Sequence, residues 1–232
     1  MKFATKAIHA GIKPDIGTGA IMTPIFQTST YVQKSPGDHK GFEYSRTQNP
    51  TRQALEQNLA ALENGQHGLC FSSGMAAIDC ILKLLKPGDE VISTNDLYGG
   101  TYRIFTKVFS KYGIKFHFVN MEKPEEILTY INENTKMIWA ETPTNPMMNI
   151  IDIQALAGIA KSNHLLLGVD NTFATPFLQS PLDLGADLVM HSVTKYLAGH
   201  SDVVMGAIVV KDKKLAEDLA LIQNSCGAVP GP

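Results

Sequence analysis

The sequence predicts an α/β fold: a mostly parallel sheet covered by helices on both faces. Three observations point there. From residue 49 onward, short apolar runs alternate with segments of helical period. The runs are continuous rather than alternating, as in strands buried on both faces. The links between them are long enough for crossovers. With 232 residues, 44% hydrophobic and 18% charged, the chain can bury a sizeable core. Twenty basic groups against 22 acidic ones leave a net charge of −2, which offers no electrostatic basis for holding nucleic acid or an anionic membrane.

The elements follow in order. Residues 1–48 hold scattered Gly, Pro, Ser and Thr without a sustained period. Such an arm buries little alone and is expected to lie against something else, such as another subunit. Residues 49–232 form the folded domain. Asn49 is a suitable N-cap and Pro50 suits the first helical position. Leu55, Leu59 and Leu62 repeat at helical spacing, and Gly65 is placed as the left-handed residue that ends the helix. A second helix starts near Ser73, with Ile78, Ile81, Leu82 and Leu85 on one side. Pro87-Gly88-Asp89 then turns the chain into the strand Glu90–Thr94. Beyond it the pattern predicts helix Tyr102–Lys111, strand Lys115–Val119, helix Glu125–Asn132 and strand Met137–Glu141. Helix Ile153–Lys161, strands Leu165–Asp170 and Asp187–His191, and helix Leu215–Gln223 complete it. Three widely spaced cysteines, Cys70, Cys80 and Cys226, suggest reduced thiols in a cytosolic protein rather than disulfides or a zinc site. Met1–Lys6 lacks the apolar core of a secretory leader and no apolar run reaches membrane-spanning length, so a soluble, cytoplasmic protein is expected.

In an open parallel sheet, ligands bind beyond the C-terminal ends of the strands. Strand Leu165–Asp170 delivers Asp170 to that rim, and strand Asp187–His191 delivers Ser192-Val193-Thr194-Lys195. A carboxylate facing a lysine flanked by two hydroxyls is what pyridoxal 5′-phosphate needs. The lysine bonds to its aldehyde, the carboxylate keeps the ring nitrogen protonated, and the hydroxyls meet phosphate oxygens. A structural Asp–Lys ion pair is the alternative reading of the same residues. Four further stretches carry polar chemistry to this rim or towards it. Ser72-Ser73-Gly74-Met75 opens a helix whose free N–H groups suit a phosphate. Tyr98, followed by Gly99-Gly100, is placed to stack on a planar ring. Asn145, in Glu141-Thr142-Pro143-Thr144-Asn145-Pro146, can donate to a ring hydroxyl. In Glu43-Tyr44-Ser45-Arg46, Tyr44 and Arg46 point to one side of an extended segment and can clamp a phosphate. Each has a plain structural reading too: a cap, a packed tyrosine, a proline turn, a solvated arginine. No Gly-x-Gly-x-x-Gly follows a strand, which disfavours a nicotinamide-dependent oxidoreductase. No Gly-x-Ser-x-Gly is present, and the histidines lack metal-ligand spacing.

Taken together, Tyr44–Arg52, Ser72–Ala77, Leu97–Thr101, Glu141–Pro146, Val169–Pro176 and His191–Tyr196 resemble the Cys/Met-metabolism family of pyridoxal-phosphate enzymes, in order along nearly the whole chain. The resemblance implies the three-layer large domain of a fold-type I pyridoxal-phosphate transferase, preceded by an arm. It implies Lys195 as the cofactor-bonding lysine, Asp170 as the pyridinium partner and Tyr98 as the stacking ring and proton donor. Gly74, Met75, Ser192 and Thr194 match the phosphate cradle, and Thr172 and Asn145 match residues near Asp170 and the ring oxygen. Tyr44 and Arg46 match a pair given to the neighbouring subunit's phosphate. That implies a dimer with shared sites and, by family habit, a homotetramer. Glu43 is placed to meet the distal ammonium of the substrate. The implied activity is transsulfuration at the γ-carbon of sulfur amino acids, a cystathionine γ-lyase before a cystathionine γ-synthase. Gly100 stands where methionine γ-lyases carry a cysteine, which counts against that activity. The family also continues into a small C-terminal domain holding the substrate carboxylate, expected here to be missing. An inactive cofactor-binding fragment is the alternative of another class.

Overall fold

The computed structural model describes residues 1–232. Seven strands form one sheet: β1 (His67–Phe71), β2 (Glu90–Thr94), β3 (Lys115–Val119), β4 (Thr135–Glu141), β5 (Leu166–Asp170), β6 (Leu188–Ser192) and β7 (Gly206–Val210). Their order is β1-β7-β6-β5-β4-β2-β3. Only β7 runs against the rest, pairing antiparallel with both β1 and β6. The sheet is thus mostly parallel, as predicted.

The helices are α1 (Phe3–His9), α2 (Pro50–Leu62), α3 (Gly74–Leu82), α4 (Gly99–Lys107), α5 (Ile153–Ser162), the single turn α6 (Thr175–Leu178) and α7 (Lys213–Cys226). On one face α3, α4 and α7 cover Phe71, Val91, Met137, Trp139, Met190 and Ile208. The opposite face is covered by α5 over Ile138, Ala140, Leu167 and Val169, and by α2 over Cys70, Val189 and Val209. Alternate residues of each strand therefore enter opposite cores, which is why the strands read as unbroken apolar runs. Trp139, fully buried on β4, meets Phe105 edge-on at 6.2 Å, and Phe105 stacks on Phe116 at 4.4 Å. No helix is long and apolar enough to cross a membrane.

The structure alters several sequence expectations. Strands β1 and β7 and helix α1 were not predicted. The segment expected as helix Tyr102–Lys111 divides into α4 and a 3₁₀ turn, Phe109–Tyr112, and Glu125–Asn132 is a 3₁₀ segment, Pro124–Tyr130. Asn49 does cap α2, its side chain accepting from Thr51 and Arg52 N–H. At the other end the left-handed residue is Asn64 (φ 55°), not Gly65. Gly65 is needed for space instead: a Cβ there would lie 2.3 Å from Val209 Cγ1.

The rim opposite the ligand end is tied by Glu90. Its carboxylate accepts from Asn132 Nδ2 at 2.9 Å, His117 Nε2 at 2.6 Å and Lys115 Nζ at 3.2 Å. Those donors, Asn132 first, hold its pKa down at about 2 against 4.5. A carboxyl depressed on folding stabilises the fold above the unfolded pKa, and this contribution is lost as pH falls from about 4.5 through about 2. Glu90→Gln is therefore expected to flatten the acid limb of stability over that window. Urea midpoints at pH 3 and pH 7 check it, and an unchanged acid limb would remove Glu90 as the cause.

Candidate active site

Beyond the C-terminal ends of β2, β4, β5 and β6 lies a cavity of about 410 Å³ lined by 16 residues. Every residue predicted to serve a site within its own subunit borders it: Gly74, Met75, Tyr98, Asn145, Asp170, Thr172, Ser192, Thr194 and Lys195. The sheet brings them together because each follows a strand end or opens a helix on that rim.

Asp170 closes β5 and is 6% exposed. Its Oδ1 accepts from Thr172 N at 3.0 Å and Thr172 Oγ1 at 2.6 Å. Ser192 N in turn donates to Thr172 Oγ1 at 2.8 Å, fixing the end of β6 to the same group. Burial raises the pKa of Asp170, against which the Thr172 hydrogen bonds act. A buried carboxyl with one oxygen committed and the other facing a cavity fits a protonated nitrogen, which would return it to the charged form. Lys195 stands in the same cavity and takes part in none of the chain's ion pairs. The alternative of an Asp170–Lys195 ion pair is not what the structure shows.

At the other end of the cavity is the start of α3. Ser73 caps it by accepting from Ala76 N at 3.1 Å. The N–H groups of Gly74 and Met75 have no partner within the helix. A Cβ on Gly74 would sit 3.0 Å from Ser192 Cβ, so glycine lets the helix start and the Ser192 hydroxyl share one small space. Two N–H groups left open at the start of α3, with the Ser192 and Thr194 hydroxyls on the same cavity, offer donors to a phosphate, for which Thr194 would turn its proton away from Met205 O. Thr194 Oγ1 is itself bonded to Met205 O and N, at 3.1 and 3.0 Å.

Glu43, Tyr44 and Arg46 do not border this cavity and are exposed. The Arg46 guanidinium lies over the Tyr44 ring at 5.3 Å. Buried Arg52 pins the end of the arm through the carbonyls of Ser45, Arg46 and Thr47, at 2.9, 3.2 and 2.8 Å.

Sequence reasoning missed Glu141 as a site residue, along with Phe173, Met190 and Pro143. Glu141 ends β4 in register with Asp170 on β5, and its Oε2 accepts from Tyr98 N at 2.8 Å. Burial, with Asp170 beside it, pushes its pKa up to about 8. The strand-end rule that found Asp170 applies equally to Glu141 and would have found it.

A family model described as "Cys/Met metabolism PLP-dependent enzyme" matches residues 4–232. The chain belongs to the Cys/Met-metabolism family of pyridoxal-phosphate-dependent enzymes. Similar members of the family carry different activities in their names. A cystathionine γ-lyase of Bacillus subtilis is 54% identical over 232 residues, covering 100% of this chain and 61% of its own. A cystathionine β-lyase of Coxiella burnetii is 53% identical, covering 98% of this chain and 59% of its own. A cystathionine γ-synthase of Mycobacterium bovis is 51% identical, covering 99% of this chain and 60% of its own. The crystal structure of cystathionine γ-lyase from Lactobacillus plantarum, complexed with L-serine, superposes with a TM-score of 0.98 at 45% identity, covering 100% of this chain and 61% of that one. The chain thus spans about three fifths of the length of these relatives. The fold is that of the fold-type I enzymes of this family, and the free cradle at α3 and the half-committed Asp170 fit its cofactor.

Proposed function

We propose that this chain carries the cofactor site of a transsulfuration enzyme working at the γ-carbon of sulfur amino acids, a cystathionine γ-lyase. The observation that carries the reading is the convergence of Lys195, Asp170 and Tyr98 on one cavity closed by the α3 cradle. Lys195 is the cavity's one lysine and its amine would hold the cofactor. Bound pyridoxal phosphate supplies an electron sink for the charge left at the substrate Cα. Lys195 Nζ, once free, accepts the Cα proton and returns it at neighbouring carbons. Asp170 would keep a proton on the ring nitrogen by charge pairing, with Thr172 orienting it. Tyr98 would cover the ring, and its hydroxyl would give a proton to the departing sulfur. Ser192, Thr194, Gly74 and Met75 would hold the phosphate, and Asn145 would meet the ring oxygen. Phe173, Val204 and Met75 line the walls and limit water.

Residues 1–48 act as an arm towards a neighbouring subunit, and 49–232 as the cofactor-binding domain. Tyr44 and Arg46, which lie outside their own chain's cavity, would serve the phosphate of a partner copy, in a dimer or in a tetramer built of two such dimers. Glu43 would reach the substrate's distal ammonium there. The second reading, cystathionine γ-synthase, is supported by a relative of that name at 51% identity.

Cystathionine is the discriminating substrate. Cysteine and 2-oxobutyrate are the products expected. Homocysteine and pyruvate would mean cleavage on the other side of the sulfur. Cystathionine made from an activated homoserine ester and cysteine would establish the synthase. For shared sites, mixing an Arg46→Ala chain with a Lys195→Ala chain is expected to restore activity that neither has alone. No recovery would mean that each chain completes its own site.

A further inference from the structure

Glu141 has no role in the reading above, yet it links the two loops that carry Tyr98 and Asn145. Its carboxylate accepts from Tyr98 N at 2.8 Å, tying the loop that carries Tyr98 to the end of β4, from which the loop with Asn145 leaves. A second carboxylate joins the same two loops: Asp96 accepts from Thr144 Oγ1 and, at 3.1 Å, from Met147 N. Tyr98 occupies the N-cap position of α4, but its side chain caps nothing. Its ring folds back over the first turn, where a Cβ on Gly100 would lie 2.3 Å from Tyr98 Cε1 and 3.0 Å from Met75 Sδ. With the ring committed to the cavity, the helix start takes its acceptor from a different strand.

We propose that Glu141 is a positioning residue: by accepting the Tyr98 N–H from the end of β4, it sets where the Tyr98 ring stands over the cofactor. What matters is reach, not charge. Burial and the neighbouring Asp170 push the Glu141 carboxyl upward, disfavouring its charged form, and the Tyr98 N–H needs only an acceptor within reach. This rests on the cofactor site proposed above for its purpose, though not for its geometry.

Two substitutions separate reach from charge. Glu141→Gln keeps length and a carbonyl acceptor but cannot ionise. Glu141→Asp keeps an ionisable carboxyl but withdraws by one methylene, about 1.5 Å. Hydrogen exchange of the Tyr98 amide, followed by mass spectrometry on the cofactor-free chain, reads the link directly. The pyridoxal-phosphate dissociation constant, from the quenching of Trp139 fluorescence, reads its consequence. In Glu141→Asp the Tyr98 amide is expected to exchange about tenfold faster and the cofactor to bind about tenfold more weakly. Glu141→Gln is expected to stay within about threefold of the parent chain on both. The reverse pattern, with Gln impaired and Asp intact, overturns the proposal in favour of a charge role. Both intact, or both impaired alike, overturns it too. If the parent chain binds no pyridoxal phosphate, the functional reading fails, while amide exchange still decides the link.

Discussion

Lys195→Ala is expected to abolish covalent retention of pyridoxal phosphate and to lower turnover by about 10²–10⁴-fold or more, the range lost with a positioned general acid–base group. Lys195 is the one lysine lining the cavity, so no second amine stands ready to replace it. Borohydride reduction followed by peptide mapping checks the covalent part. In the parent chain the cofactor mass should be fixed to the peptide holding Lys195, and in the variant to none. Label on another lysine, or equal label in both, would detach the proposed chemistry from this residue. Folding should not suffer, because Lys195 makes no ion pair whose loss could unfold the rim. Unfolding midpoints should therefore agree within about 0.5 kcal/mol, as for substitutions that break no buried contact.

The largest stability effect is expected at Glu63, behind the cavity on the other face of the sheet. Glu63 and His191 are each 1% exposed, and Glu63 Oε1 meets His191 Nε2 at 2.5 Å and Asn171 Nδ2 at 2.7 Å. Gln179 extends the cluster, bonding Asn171 Oδ1 at 2.9 Å and Thr142 O at 3.1 Å. Each partner is one residue from a group on the cavity side: Asn171 from Asp170, His191 from Ser192, Thr142 from Glu141. Removing the carboxylate leaves the buried His191 imidazole without a partner and Asn171 Nδ2 with Gln179 O alone, at 3.0 Å. Glu63→Ala is expected to cost about 3–5 kcal/mol. Glu63→Gln, which keeps one acceptor, should recover a substantial part. Urea denaturation of the three chains measures this. A loss below about 1 kcal/mol for Glu63→Ala would show that the cluster tolerates an orphaned imidazole.

Much of this architecture was legible because the signals were local. Strands β2 and β3 have the predicted bounds, and β4, β5 and β6 differ by a residue or two. All are apolar runs bounded by turns. The strands β1 and β7 escaped notice for opposite reasons. In β1, His67 and Gly68 dilute a five-residue segment; β7 follows an irregular stretch and opens on Gly206. Each is defined by the other, through pairs such as His67 with Val210, which no local pattern announces. In the site, Asp170 and Lys195 were found because a strand end is readable and the chemistry needs both. Glu141 was hidden inside a proline-rich turn motif, where its neighbours explained themselves. Tyr44 and Arg46 lie outside the cavity of their own chain, and residue order along one chain carries no pattern for where their side chains are used.

The lone reversed strand has a consequence for synthesis. β1 has a single neighbour in the sheet, and that neighbour is β7, which is made after β2 to β6. As the chain leaves the ribosome, β1 and the helix start that follows it must wait, without a ladder, until the segment around Val210 emerges. Contacts this distant in sequence close slowly, so the phosphate cradle is expected to be assembled only after β2 to β6 have met.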